Sequence, residues 1–143
     1  MRRLLIAASL AAVGACADIG GPTPPPSGDV AWVASPAEMW LSIGREARVD
    51  SLLRLGFTQV LGDSRCPATV VCAWAGDGAA ELAVGVGMGP SYPVTFHTLL
   101  DPRQVDFLGY QITLLELSPY PQTPGPIPAD DYAVRLRVVR LTR

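Results

Sequence analysis

Apolar and polar residues alternate along most of this chain, and the alternation sets out its elements before any motif is read. Leu53, Leu55 and Phe57 are interleaved with Arg54, Gly56 and Thr58. A period of two places every second side chain on one face, so the pattern predicts a half-buried strand. Leu82, Val84 and Val86 alternate with Glu81, Ala83 and Gly85 in the same way, and Val94, Phe96 and Thr98 with Thr95 and His97. Val105 and Phe107 open a longer run that passes through Gly109 to Tyr110, Ile112 and Leu114. An isolated glycine inside such a run predicts a bulge or bend. In the last run, residues 132–142, Val134, Leu136 and Val138 face inward while Arg135 and Arg137 face outward. Val139 and Leu141 then fall on the arginine side, which predicts a bulge near Val138.

Turn residues punctuate these runs. Ser35-Pro36-Ala37-Glu38 has the form of a helix capping box with proline at the first helical position. Gly44 follows so soon that a helix would have barely two turns, so a strand over residues 38–43 is favoured, with a turn at Gly44-Arg45-Glu46 and the helix as the alternative. Residues 87–91 and Asp101-Pro-Arg are further turns, and residues 118–130 carry five prolines, a density that predicts a long surface loop. Seven or eight short strands with turn signals at roughly 8–12-residue spacing predict an all-β domain, a sandwich or a small barrel. The expectation is a single immunoglobulin-like β-sandwich over residues 36–143. A chain of 143 residues allows one domain with a modest core.

Composition narrows the function classes. All 11 basic residues are arginine; without lysine there is no Schiff-base chemistry, and without asparagine no N-glycosylation site. The formal charge of −2 includes Arg2 and Arg3; leaving these out, nine arginines face 13 acids, a balance of −4. No basic cluster precedes the last strand, so no nucleic-acid partner is expected. Arg135, Arg137, Arg140 and Arg143 read as protection of an edge strand.

The N-terminal residues carry an address. Arg2 and Arg3 precede a run of ten apolar or small residues, 4–13, followed by Gly14, Ala15 and Cys16. This is the layout of a secretory signal over residues 1–15, and the run is shorter than the roughly 20 residues of a membrane span. Val13-Gly-Ala-Cys16 resembles the lipobox of bacterial lipoproteins, which implies diacylation of Cys16 and a membrane partner through the lipid. Ala17 at the next position, by resemblance to the sorting rule, implies the outer membrane more than the inner. The Pro- and Gly-rich residues 16–35 then form a tether, whether semi-rigid or disordered.

The two remaining cysteines lie in Asp63-Ser-Arg-Cys-Pro-Ala-Thr-Val-Val-Cys-Ala-Trp-Ala-Gly76. In an exported chain Cys66 and Cys72 are best read as a disulfide, since lipidation of Cys16 leaves an even pair. Closing so short a loop stabilises by about 2 kcal/mol on the chain-entropy estimate. A redox site would want CxxC spacing, and a metal site would need ligands beyond the one histidine, His97, and Asp63. The pattern D-S-R-C-P-x-x-V-x-C-x-W-x-G resembles a signature of small, uncharacterised bacterial envelope lipoproteins. It covers about residues 38–142, and Asp77-Gly78 lengthens the segment after the motif. The resemblance implies location and fold, and no activity.

Catalytic constellations are not expected. Ser91, His97 and Asp101 could make a triad on paper, but no nucleophile elbow accompanies them. Asp130-Asp131 reads as a solvated turn, and Pro121-Gln-Thr-Pro124 as a weak PxxP match. The chain is therefore expected to be a non-enzymatic, cofactor-free envelope module, binding or structural, with Asp63, Arg65 and Trp74 as candidate contacts and an envelope protein as a possible partner. A secreted inhibitor of a protease or hydrolase is the alternative, and a metal-handling lipoprotein the third reading.

Overall fold

The computed structural model describes residues 31–142. The expected signal sequence, Cys16 and most of the expected tether lie outside the described residues. Two sheets face each other. The first has the order β1-β3-β4-β5-β6, with β1 Ala31–Val33, β3 Glu46–Val49, β4 Leu53–Asp63, β5 Gly78–Val86 and β6 Ser91–His97. The second has the order β2-β9-β8-β7, with β2 Ala37–Ser42, β7 Gln104–Phe107, β8 Tyr110–Ser118 and β9 Ala133–Arg140. All pairings are antiparallel except β1 with β3. The chain is all-β and forms a sandwich.

The inward faces are the alternating positions of the sequence. Leu53, Leu55 and Phe57 of β4, Leu82 and Val84 of β5 and Phe96 of β6 meet Ile112 and Leu114 of β8 and Val134, Leu136 and Val138 of β9. All are essentially inaccessible to solvent. Burying aliphatic and aromatic surface on this scale is the main favourable term in folding.

Several expectations are corrected in detail. Nine strands are described: β1, of three residues, lies in what reads as tether, and β3 in what reads as a turn and its sequel. The sandwich thus takes in residues 31–35. Ser35, at the crossing from β1 to β2, donates its N–H to Asp50 Oδ1 at 2.8 Å and accepts the Arg140 N–H on its Oγ at 2.6 Å. The strand order also differs from the ABED-on-CFG Greek key of immunoglobulins. Here β3 to β6 form one meander and β7 to β9 another, because the residue 64–77 connection returns β5 beside β4 instead of crossing to the other sheet.

Gly109 is no bulge. Leu108 and Gly109, at φ +44° and +88°, form a two-residue hairpin turn that sets Phe107 opposite Tyr110. Directly opposed residues share a face, which is why the inward phase changes from Val105 and Phe107 to Tyr110 and Ile112. The irregularity expected in the last strand lies instead in its neighbour: β8 shifts register between Leu114 and Glu116, while β9 keeps its alternation. Nor is β9 an edge. It is paired on both sides, and Arg135 and Arg137 reach Glu38 of β2 at 2.9 and 2.6 Å.

These positions make contrasting demands. Phe96→Ala should cost about 3–5 kcal/mol in urea unfolding, through lost burial and a cavity. Arg137→Ala, which breaks an exposed ion pair, should cost far less than Phe96→Ala in the same assay.

Candidate functional site

The cysteine motif occupies one end of the sandwich, where β4 turns back into β5. Ladder pairing continues past the sheet: Ser64 N–H donates to Asp77 O and Cys66 N–H to Ala75 O, each at 2.8 Å. Gly76 is required here by both conformation and space. Its φ is +71°, and a Cβ would lie 1.8 Å from Ser64 O. Beyond that ladder Cys66 and Cys72 are joined, with Cα atoms 5.9 Å apart. Gly78 opens β5 opposite Asp63, and the β4–β5 ladder then shifts register twice, between Gly62 and Val60 and between Gln59 and Phe57.

Arg65 points inward and is 7% exposed, the only charged residue that is buried among the described residues. It uses all three guanidinium nitrogens. Nε and Nη2 grip the two carboxylate oxygens of Asp63 at 2.8 and 2.6 Å. Nη1 donates to Leu117 O, and Nη2 also to Pro119 O at 2.8 Å. The guanidinium lies over the Tyr120 ring, 5.4 Å from its centroid. Asp63 belongs to the first sheet and Leu117 to the second, so this one side chain ties the layers together.

Asp63 is further bound by the Tyr132 hydroxyl at 3.0 Å. Burial pushes its carboxyl up, but the hydrogen bonds from Arg65 and Tyr132 prevail and hold it below the usual carboxylate range. The same contact, after burial, pushes the Tyr132 phenol up to about 12. The Pro-rich loop is sewn to the cysteine loop: Ala68 and Thr69 N–H donate to Pro121 and Gln122 O, and the Tyr120 hydroxyl to Cys66 O.

Asp77 is the second anchor. Its carboxylate accepts from His97 Nδ1 at 2.6 Å, Leu99 N–H at 2.9 Å, Leu100 N–H at 3.4 Å and the Thr98 hydroxyl at 3.2 Å. Burial alone would raise it; these donors outweigh burial and bring it down to about 2. The segment after β6 is thereby fastened beside the cysteine loop.

The residues expected to act together are thus separated. Asp63 and Arg65 satisfy each other inside, while Trp74 stands 77% exposed on the loop beyond them. Val71 at the tip is fully exposed and Val70 is 40% exposed. Cys66 and Cys72 are bonded to each other and His97 is engaged by Asp77, so the paper metal set is not assembled. Among the described residues no three His, Cys, Asp or Glu side chains are grouped to hold a metal ion. Ser91 and His97 sit at opposite ends of β6. Pro121 is buried against the cysteine loop, and Asp130 and Asp131 are exposed in a 3-10 turn.

Two hollows flank the hub. A cleft of about 540 Å³ runs between the end of β4 and the Pro-rich loop, with Val60, Ile127 and Pro126 as apolar walls and Asp63 and Tyr132 among its polar lining. A smaller one, about 240 Å³, separates Ala75 and Leu99 from Tyr120. Sequence reading did not single out Asp77, Tyr120 or Tyr132 as site residues. Their only signal was position: one directly after the motif, two bracketing the proline-rich stretch. The chain matches no protein-family model, no curated protein and no solved structure.

Arg65→Ala leaves a buried carboxylate and two carbonyls without their donor and should cost about 3–5 kcal/mol in chemical unfolding. Arg65→Lys should rescue little, because an ammonium cannot reproduce the fork. The depressed carboxyls stabilise fully above their unfolded pKa near 4. Stability should therefore fall as the pH drops from about 4 to 2, with Asp77 the larger contributor. Tyr132 gives the opposite limb, its contribution being lost as the pH rises from about 10 to 12. Thermal unfolding across pH reads both limbs.

Proposed function

We propose that this chain is a lipid-anchored binding or structural module of the bacterial cell envelope, with no catalytic chemistry of its own. One observation carries the reading: a closed, internally satisfied hub holds out an apolar loop whose tip residues, Val71 and Trp74, touch little of their own domain. Folding normally buries such side chains, so a rigid loop that exposes them favours contact with something outside the molecule. The Arg65–Asp63 pair supports that role as scaffold, since its hydrogen-bonding capacity is used internally. The arginines, the apolar run and Cys16 of the leader support export and lipidation, with the outer membrane as destination. The resemblance of the motif to that of envelope lipoproteins supports the same location.

An inhibitor of a protease or hydrolase is the second reading, favoured by the same pinned loop, which is preorganised to enter a cleft.

The anchor is tested in a bacterial host by fractionation and intact mass. The wild-type chain should partition with membranes, its N-terminus carrying the mass of acyl chains on Cys16, and Cys16→Ser should abolish both the acyl mass and the cleavage after Ala15. A free Cys16 thiol in the exported wild type would overturn the anchor. Pull-down of envelope proteases by the purified protein separates the inhibitor reading from the first.

A further inference from the structure

We propose that the cysteine loop is a second membrane contact, its tip seating in the interfacial layer of the bilayer to which the chain is anchored. This rests on the lipid-anchor reading for its location, and on three observations for its chemistry and geometry.

The first is composition. Residues 66–76 contain no charged side chain. Val70, Val71 and Trp74 are exposed along this stretch, and Leu99 and Leu100 are each 56% exposed on the neighbouring segment that Asp77 fastens to it. Tyr120, 49% exposed, borders the same hollow as Leu99. Tryptophan and tyrosine between aliphatic residues and water are the composition of a membrane–water boundary.

The second is direction. β4 runs toward the cysteine loop, β3 is antiparallel to it, and β1 is parallel to β3. The chain therefore enters β1 from the cysteine-loop side. Met88 and Leu108 are exposed at the opposite end, from which the entering chain points away.

The third is reach. Ala31 pairs with Ala47, which pairs with Leu55, so the described chain starts at the level of Leu55. The 11 steps from Leu55 to Cys66 cover about 36 Å at strand spacing. Residues 16–30 number 15 and span at most about 50 Å. Acyl chains on Cys16 and the loop tip can thus share one bilayer surface. Rigidity assists, because a loop held by a disulfide and by the Pro-rich segment loses little conformational freedom on insertion. Among the exposed charges at this end Glu46, Asp101, Asp130 and Asp131 outnumber Arg45 and Arg103, so the preferred surface is zwitterionic rather than anionic.

The test uses mature protein extracted from membranes and reconstituted into phosphatidylcholine vesicles with brominated acyl chains, reading tryptophan emission. Trp74 should be quenched about twofold and blue-shifted, the depth expected of an interfacial indole. Trp74→Phe should remove the quenchable component, and Val71→Ser should weaken quenching while leaving the thermal transition unchanged. Replacing a third of the lipid by phosphatidylglycerol should not increase the quenching. Protein held on the vesicles by its acyl chains with Trp74 emission unquenched would overturn the loop contact and leave the anchor standing. If Cys16 carries no lipid, the anchor fails, and leader-free protein that then ignores the vesicles overturns this contact as well. Crosslinks from position 74 in intact envelopes that land on a protein, with Trp74 unquenched, would identify a protein occupant instead and equally sink the proposal.

Discussion

Arg65 is a buried cation whose donors are shared between two sheets packed on an apolar core. Its fork binds Asp63 at the end of β4, and its remaining donors bind the carbonyls of Leu117 and Pro119 at the end of β8. A charge so deep is tolerated only when fully paired. The requirement acts on everything around it: β8 must end where it can offer its carbonyl, the Pro-rich loop must turn to present Pro119, and Tyr132 must complete Asp63.

With the layers tied, the cysteine loop becomes a fixed object rather than a long connection. The disulfide closes it on one side and its hydrogen bonds to Pro121 and Gln122 hold it on the other. Asp77 extends the same logic to the Leu99–Leu100 segment, gathering four donors on one carboxylate. Asp63, Arg65 and Asp77 are directed inward to hold loops, while Val71, Trp74, Leu99 and Leu100 stand exposed beside them.

Sequence patterns were most informative where one face is buried. The inward residues of β4, β5, β8 and β9 were legible because alternation follows directly from the pleat. Alternation failed where pairing, not burial, decides the outcome. The Leu108-Gly109 turn hid inside a continuous apolar run, although the change of inward phase across it was its trace. β3 has only two inward residues, Ala47 and Val49, too few to display a period. The arginines of β9 looked like an edge because nothing in a linear pattern says that β2 will lie beside them with Glu38 in register.

The motif shows the same boundary. Its residues by themselves determined a tight, disulfide-closed corner, because cysteine spacing, proline and glycine are local constraints on the chain. Whether Asp63 and Arg65 face a ligand or each other is not local. Only the tertiary structure decided it, by bringing Leu117, Pro119, Tyr120 and Tyr132, more than 50 positions away, onto a pair two residues apart. A charged side chain near a cysteine loop can serve binding or architecture with the same sequence pattern. The difference lies in whether its hydrogen bonds are satisfied, and distant backbone carbonyls settled that.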